Sequence, residues 1–167
     1  MSGRRLVVFT VVWVLAACST RASAQPATST AALSADVRTI AKLTVSPTSL
    51  TFPDADPDMF PQVTSVGGAL SITAKARATS GSQILLTVQA ADDLRSGVDT
   101  IAAQAITWTT TGAGFTSGTL SSSAPVAVGR WTGSGVRLGT QTLYLANLWT
   151  YTSGTYTASL LYTLTAP

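Results

Sequence analysis

Apolar and polar residues alternate along most of this chain with a period of two, the pattern of strands that bury one face. From Leu33 to Val45 the odd positions carry Leu33, Ala35, Val37, Thr39, Ala41, Leu43 and Val45. The even positions carry Ser34, Asp36, Arg38, Lys42 and Thr44, with Ile40 as the exception. A half-buried strand over 33–45 is predicted, ended by Ser46-Pro47. Leu50 and Phe52 predict a short second strand, stopped by Pro53. Leu70, Ile72, Ala74 and Ala76 then alternate with Ser71, Thr73, Lys75 and Arg77, and Ile84, Leu86 and Val88 share one face of Gln83 to Ala90. The turn Thr79-Ser80-Gly81-Ser82 between these two runs predicts that they form a hairpin, with its lysine and arginine together on the solvent face.

Further along, Ala105 to Thr110 is a β-prone run centred on Ile106 and Trp108 and broken by Gly112 and Gly114. Val126 to Val128 and Gln141 to Leu148 predict two more strands, separated by Gly133-Ser134-Gly135. In the final strand Tyr156, Ala158, Leu160, Tyr162 and Leu164 share a face, and Leu161 is the one apolar residue on the other. The sole helical candidate is Ala91 to Ala103, which contains Gly97 and no sustained 3.6-residue period. Seven or more short strands with turn signals between them predict an all-β fold, a single Ig-like or pilin-like antiparallel β-sandwich.

The N-terminus reads differently. Arg4 and Arg5 precede an apolar stretch of 12 residues, Leu6 to Ala17, too short to span a bilayer and placed as the core of an export signal. Ala22-Ser23-Ala24 supplies a small-x-small cleavage site before Gln25. Leu15-Ala16-Ala17-Cys18 also resembles the bacterial lipoprotein box, which makes Cys18 a lipidation candidate and an outer-membrane lipoprotein the alternative to a secreted protein. The expected organisation is a signal peptide over 1–24, a flexible leader over 25–33 rich in Ala, Ser and Thr, and a sandwich over 34–167. Loss of the signal removes Arg4, Arg5 and Arg21, so 7 basic residues remain against 7 acidic ones. That balance gives no basic footprint for nucleic acid, and membrane contact is expected only through a lipid on Cys18. With 28 threonines and few charges, the surface is suited to life outside the cell.

Tyr156-x3-Leu160-x-Tyr162-x-Leu164-x-x-Pro167 resembles the distal motif of WxL-type cell-wall-binding domains, with Tyr162 where that family has Trp. The namesake Trp-x-Leu occurs here at Trp13-Val14-Leu15, inside the signal. Gly154-Thr155-Tyr156 with the strand after it, and the segment Ala41 to Phe52, are similar to the two ends of secreted spore-coat-U/CS1-type pilin-like domains. Spore-coat-U domains usually carry cysteines, which the chain after residue 24 lacks. Either resemblance implies a bacterial surface β-domain.

Chemistry-bearing residues are scarce. The chain has no histidine and no glutamate, and Cys18 is its one cysteine. Most hydrolytic, redox and metal chemistry draws on one of these three, so a non-enzymatic protein without a cofactor is expected. Asp54, Asp56 and Asp58 alternate in a Pro-flanked loop, a spacing that calcium loops use. Met59 and Ser65, however, stand where an EF-hand needs Gly and Glu, which favours a solvated acidic loop. Asp92-Asp93 with Asp99 read as solubilising turn residues rather than a glycosidase pair. Lys42 and Lys75, the only visible base partners for a serine, lie in no Ser-x-x-Lys arrangement. Among the aromatics Trp108, Trp131, Tyr144, Trp149, Tyr151, Tyr156 and Tyr162, most are expected in the core. Trp149 and Tyr151 flank a loop and are the candidates for stacking on sugar rings. The expected function is an exported structural or adhesive surface protein that self-associates by strand complementation, its partner another copy or another surface protein. The alternative is a non-catalytic module that binds cell-wall polysaccharide or another carbohydrate.

Overall fold

The alternating stretches become eleven strands between Ile40 and Thr165, and a single 3-10 turn at Ala103–Ala105 is the helical content among the described residues. The structure is a computed structural model that describes residues 29–167; the expected signal, with Arg4, Arg5, Cys18 and Ala22-Ser23-Ala24, lies outside the described residues. The chain divides into two units, Met1–Ala35 and Asp36–Pro167. Residues 29–35 of the first carry no regular element and are all exposed, Leu33 at 98%.

The strands of the second unit are β1 (Ile40–Ser46), β2 (Gln62–Thr64), β3 (Leu70–Arg77), β4 (Gln83–Ala90), β5 (Leu94–Ser96), β6 (Asp99–Ile101), β7 (Ile106–Thr111), β8 (Gly118–Thr119), β9 (Val126–Thr132), β10 (Gly135–Ala146) and β11 (Leu160–Thr165). One sheet has the order β1-β3-β10-β7-β8, with β2 continuing beyond β3 on the same edge of β10. A second has the order β11-β4-β9, and β5 and β6 form a small hairpin. Every pairing is antiparallel. The larger sheet turns Leu70, Ile72, Ala74, Trp108 and Leu143 inward, and the smaller one answers with Ile84, Leu86, Val88, Val128 and Trp131. The fold is therefore an all-β sandwich with one core.

Several expected elements differ. The first strand begins at Ile40 rather than Leu33; Leu43 and Val45 pack on the core, but Val37 and Ile40 are exposed. The expected strand at Leu50–Phe52 reduces to one bridge, Thr51 with Val66, flanked by half-buried Leu50 and Phe52. No helix forms in 91–103: β5 and β6 replace it, joined by Gly97-Val98 with Gly97 at φ +61°, as a two-residue turn opening on glycine requires. Ala158 is exposed, since regular pairing of the final segment starts only at Leu160.

The larger correction concerns the expected hairpin of 69–78 with 83–90. β3 is flanked on both sides by β1 and β10, and β4 by β11 and β9, so the two do not pair. The 79–82 turn carries the chain across from one sheet to the other, and the apolar faces of β3 and β4 meet across the core instead of lying side by side. Gly133-Ser134 makes the same crossing between β9 and β10. The two crossings are fastened together. Ser134 Oγ accepts from the Ala78 amide at 3.0 Å, and the Gly133 amide donates to the Ser82 carbonyl at 3.2 Å. The Thr79 amide adds a bond to the Pro167 carbonyl at 3.0 Å. This is the turn end of the sandwich; the opposite, loop end carries residues 53–61, 91–103 and 147–157.

Residues 112–119 form a strap that closes one side. Gly118 and Thr119 pair with β7, while the Thr116 amide donates to the Val128 carbonyl and the Arg130 amide to the Gly114 carbonyl on β9. Two buried indoles hold it: Trp108 Nε1 donates to the Thr116 carbonyl and Trp131 Nε1 to the Ala113 carbonyl, each at 3.0 Å. Phe115 meets Trp131 edge-on, with ring centroids 5.2 Å apart. These rings need bare backbone beneath them: a Cβ on Gly129 would lie 2.7 Å from the Trp131 ring, and one on Gly139 2.6 Å from Phe115. On the other side, the edge strands β1 and β11 come close without pairing.

One polar contact crosses the core. Tyr162 of β11 donates its hydroxyl to Gln141 Oε1 of β10 at 2.6 Å, and Gln141 Nε2 is buried with no partner. Burial pushes the Tyr162 phenol far above its usual 10.0. The neutral form thus adds stability that is fully present below pH 10.0 and lost as pH rises above it, because only the unfolded chain ionises there. Ultraviolet titration of tyrosinate should show one of the four tyrosines ionising only together with alkaline unfolding, and Tyr162→Phe should remove that step. Tyr162→Phe alone should cost about 1–3 kcal/mol in urea unfolding, because Gln141 is left with neither group bonded. Adding Gln141→Leu should recover most of that loss, since removing both partners leaves no orphaned group.

Candidate functional site

Four of the large apolar residues that the core does not absorb, Met59, Phe60, Leu148 and Trp149, lie in two loops at the loop end. Residues 53–61 hold three aspartates among prolines, a composition that favours turns over strands. Asp56 organises the turn: its Oδ1 accepts from the Asp58 amide at 2.9 Å, and its carbonyl accepts from the Met59 and Phe60 amides. Asn147, just past β10, anchors this loop. Its Nδ2 donates to the carbonyls of Ala55 at 2.9 Å and Phe60 at 3.0 Å, and its amide donates to the Pro61 carbonyl.

Trp149 follows immediately. The Tyr151 amide closes a turn onto the Leu148 carbonyl at 3.2 Å, which places Trp149 and Thr150 at the two central positions. Trp149 is 70% exposed, yet its ring is held, because Nε1 donates to Asp58 Oδ1 at 3.0 Å. Met59, Phe60 and Leu148 are also exposed. The result is an aromatic and apolar platform bordered by carboxylates, on two loops that Asn147 and Asp58 tie together. Such a surface can stack against the apolar face of a sugar ring or seat an apolar side chain.

Of the two stacking candidates, the structure brings only Trp149 to this platform. Tyr151 emerges from the same turn pointing back, half-buried against the core, and burial raises its phenol above the usual range. Asp54, Asp56 and Asp58 do not converge: among the described residues no group of three or more acidic, His or Cys side chains could hold a metal ion. Asp56 and Asp58 instead bond to the turn and to the indole. The second acidic set is also dispersed. Asp92 forms an ion pair with Arg95 at 2.8 Å, which holds its carboxyl below the usual range. Asp93 Oδ1 accepts from the Ala103 amide and from Ser122 Oγ, each at 2.9 Å, and Asp99 takes a long bond of 3.5 Å from Thr152. Lys42 and Lys75 lie opposite each other on the outer face of the larger sheet.

Met59 and Phe60 belong to the platform and escape a reading based on alternation because they lie outside every strand, while Asn147 and Leu148, expected within a strand over 141–148, lie past its end at Ala146. Their signal was the presence of large apolar side chains within segments of turn composition. No family model and no curated protein matches this chain.

Proposed function

We propose that this protein is an exported surface subunit with a structural or adhesive role, non-catalytic, whose copies associate by strand addition. The observation that supports this reading is the segment leading into β1. Leu33, Ala35 and Val37 keep strand alternation, are exposed and pair with no strand among the described residues, and the segment runs on into an edge strand. Each copy also offers a receiving site, the seam where β1 and β11 each present a backbone edge unpaired among the described residues. An extended segment entering such a seam gains main-chain hydrogen bonds all along its length, with alternate side chains setting the register. β1 itself is committed within its own chain, through seven residue pairs with β3, so 33–39 is the part free to be donated.

In the exported protein, Leu33→Pro with Val37→Pro should abolish association, since proline offers no donor to a ladder. Native mass spectrometry should then show monomers where the unsubstituted protein gives multimers. The melting temperature should stay unchanged, because both positions lie outside the sandwich. Multimers that survive the double substitution would sink the strand-addition reading.

The exposed Trp149 platform favours a second reading, a module binding wall polysaccharide or another carbohydrate. Trp149→Ala should then weaken retention on insoluble peptidoglycan or glycan by at least about tenfold, the scale of one aromatic stack. Unchanged retention would remove Trp149 from any binding role.

A further inference from the structure

The topology sorts the charged residues by sign. Six of the seven aspartates lie at the loop end: Asp54, Asp56 and Asp58 beside Trp149, and Asp92, Asp93 and Asp99 just past β4. Arg95 is the one cation among them, and it is paired with Asp92. The cations collect toward the turn end. Lys42 and Lys75 occupy directly opposite positions of β1 and β3, a like-charge placement that is unfavourable within one molecule. Arg77 lies opposite Ile40, Arg137 opposite Ala74, and Arg130 reaches Gln83 at 3.2 Å. None of these five has an acidic partner among the described residues, whose other ion pair, Arg38 with Asp36, is local.

Each end also presents exposed apolar side chains within its own sign of charge. Ile40 and Val136 adjoin Lys42, Lys75 and Arg77, as Trp149 adjoins Asp58, with Met59, Phe60 and Leu148 next to these two in sequence. Both ends are spanned by β10. Its 12 residues cover about 36 Å at the usual rise per residue. The screening length in physiological salt is about 8 Å, so the two ends cannot neutralise each other within one molecule. A second copy can neutralise them.

We infer that copies of this chain dock head to tail, the basic turn end of one against the acidic loop end of the next. The patches differ, so the contact is heterologous and repeats without closing unless the rotation makes a ring. The inference rests on the self-association reading and adds its polarity: β1, into which the donated segment runs, starts at the basic end, where Ile40 faces Arg77. Each added copy therefore points the same way along the assembly.

Sedimentation velocity of the full exported protein tests this. Raising NaCl from about 20 mM to about 500 mM should weaken association at least tenfold or so. The triple variant Lys42→Glu, Lys75→Glu, Arg77→Glu has two acidic ends, and Asp54→Lys with Asp92→Lys and Asp99→Lys makes the loop end basic. Each alone should be monomeric, and an equimolar mixture should associate again, with circular dichroism showing the fold retained. Salt-sensitive association that persists with Leu33→Pro and Val37→Pro supports docking while strand addition fails. Association indifferent to salt and to both reversals overturns docking and leaves strand addition standing. Monomers under every condition overturn it, as does salt-sensitive capture of an anionic polysaccharide without self-association, which assigns the basic end to another occupant.

Discussion

Two buried indole N–H groups determine how this sandwich closes. Trp108 projects from the larger sheet and Trp131 from the smaller, and each donates to a carbonyl of the same short strap. An indole buried without an acceptor is costly, so neither ring can take its place until 112–119 lies between the sheets. Gly129 and Gly139 provide the flat backbone that lets the rings approach this closely. With one side sealed by the strap, the outer edges of β1 and β11 lie close together on the far side. The surface available for pairing is thus a consequence of where the tryptophans are anchored.

The alternation of β3, β4 and the final strand was legible because each keeps one apolar face against the core throughout. β9 and the first half of β10 hid theirs for definable reasons. In β9 the pairing slips beside Leu86, and the bulge turns both Val128 and Gly129 inward, which breaks the period of two. In β10 the inward positions 137, 139 and 141 are Arg, Gly and Gln, and Val136 and Leu138 face out. Gly139 is there because Phe115 occupies the space, and Gln141 because Tyr162 reaches it across the core. A pattern inverted by partners distant in sequence leaves no local trace. The arch between β3 and β4 was misread for a related reason, since the same Ser/Gly turn serves a hairpin or a crossing. Which of the two forms depends on neighbours already occupied.

At the candidate site, the exposure of Trp149 was legible from its place in a loop, but its platform was not. The Asp54-Asp56-Asp58 spacing looked like chemistry at an ion. Its bonded members instead shape a turn and orient an indole, a use of carboxylates that spacing alone cannot distinguish. The charge balance of the chain likewise concealed its distribution. Beyond residue 24, seven acids and seven bases balance to neutrality, whereas antiparallel strands carry residues distant in sequence to common ends and leave those ends opposite in sign.

The fastened crossings at the turn end have a consequence for how the protein is made. β4 pairs with β11, from which six other strands separate it, and the Thr79 amide waits for Pro167. Contacts so distant in sequence form slowly and late. A chain threaded through a narrow pore from its N-terminus cannot complete the smaller sheet while β11 is still inside. In a chain delivered N-terminus first, the sandwich therefore stays open until its last strand is free to pair. Its topology acts as a timer on folding.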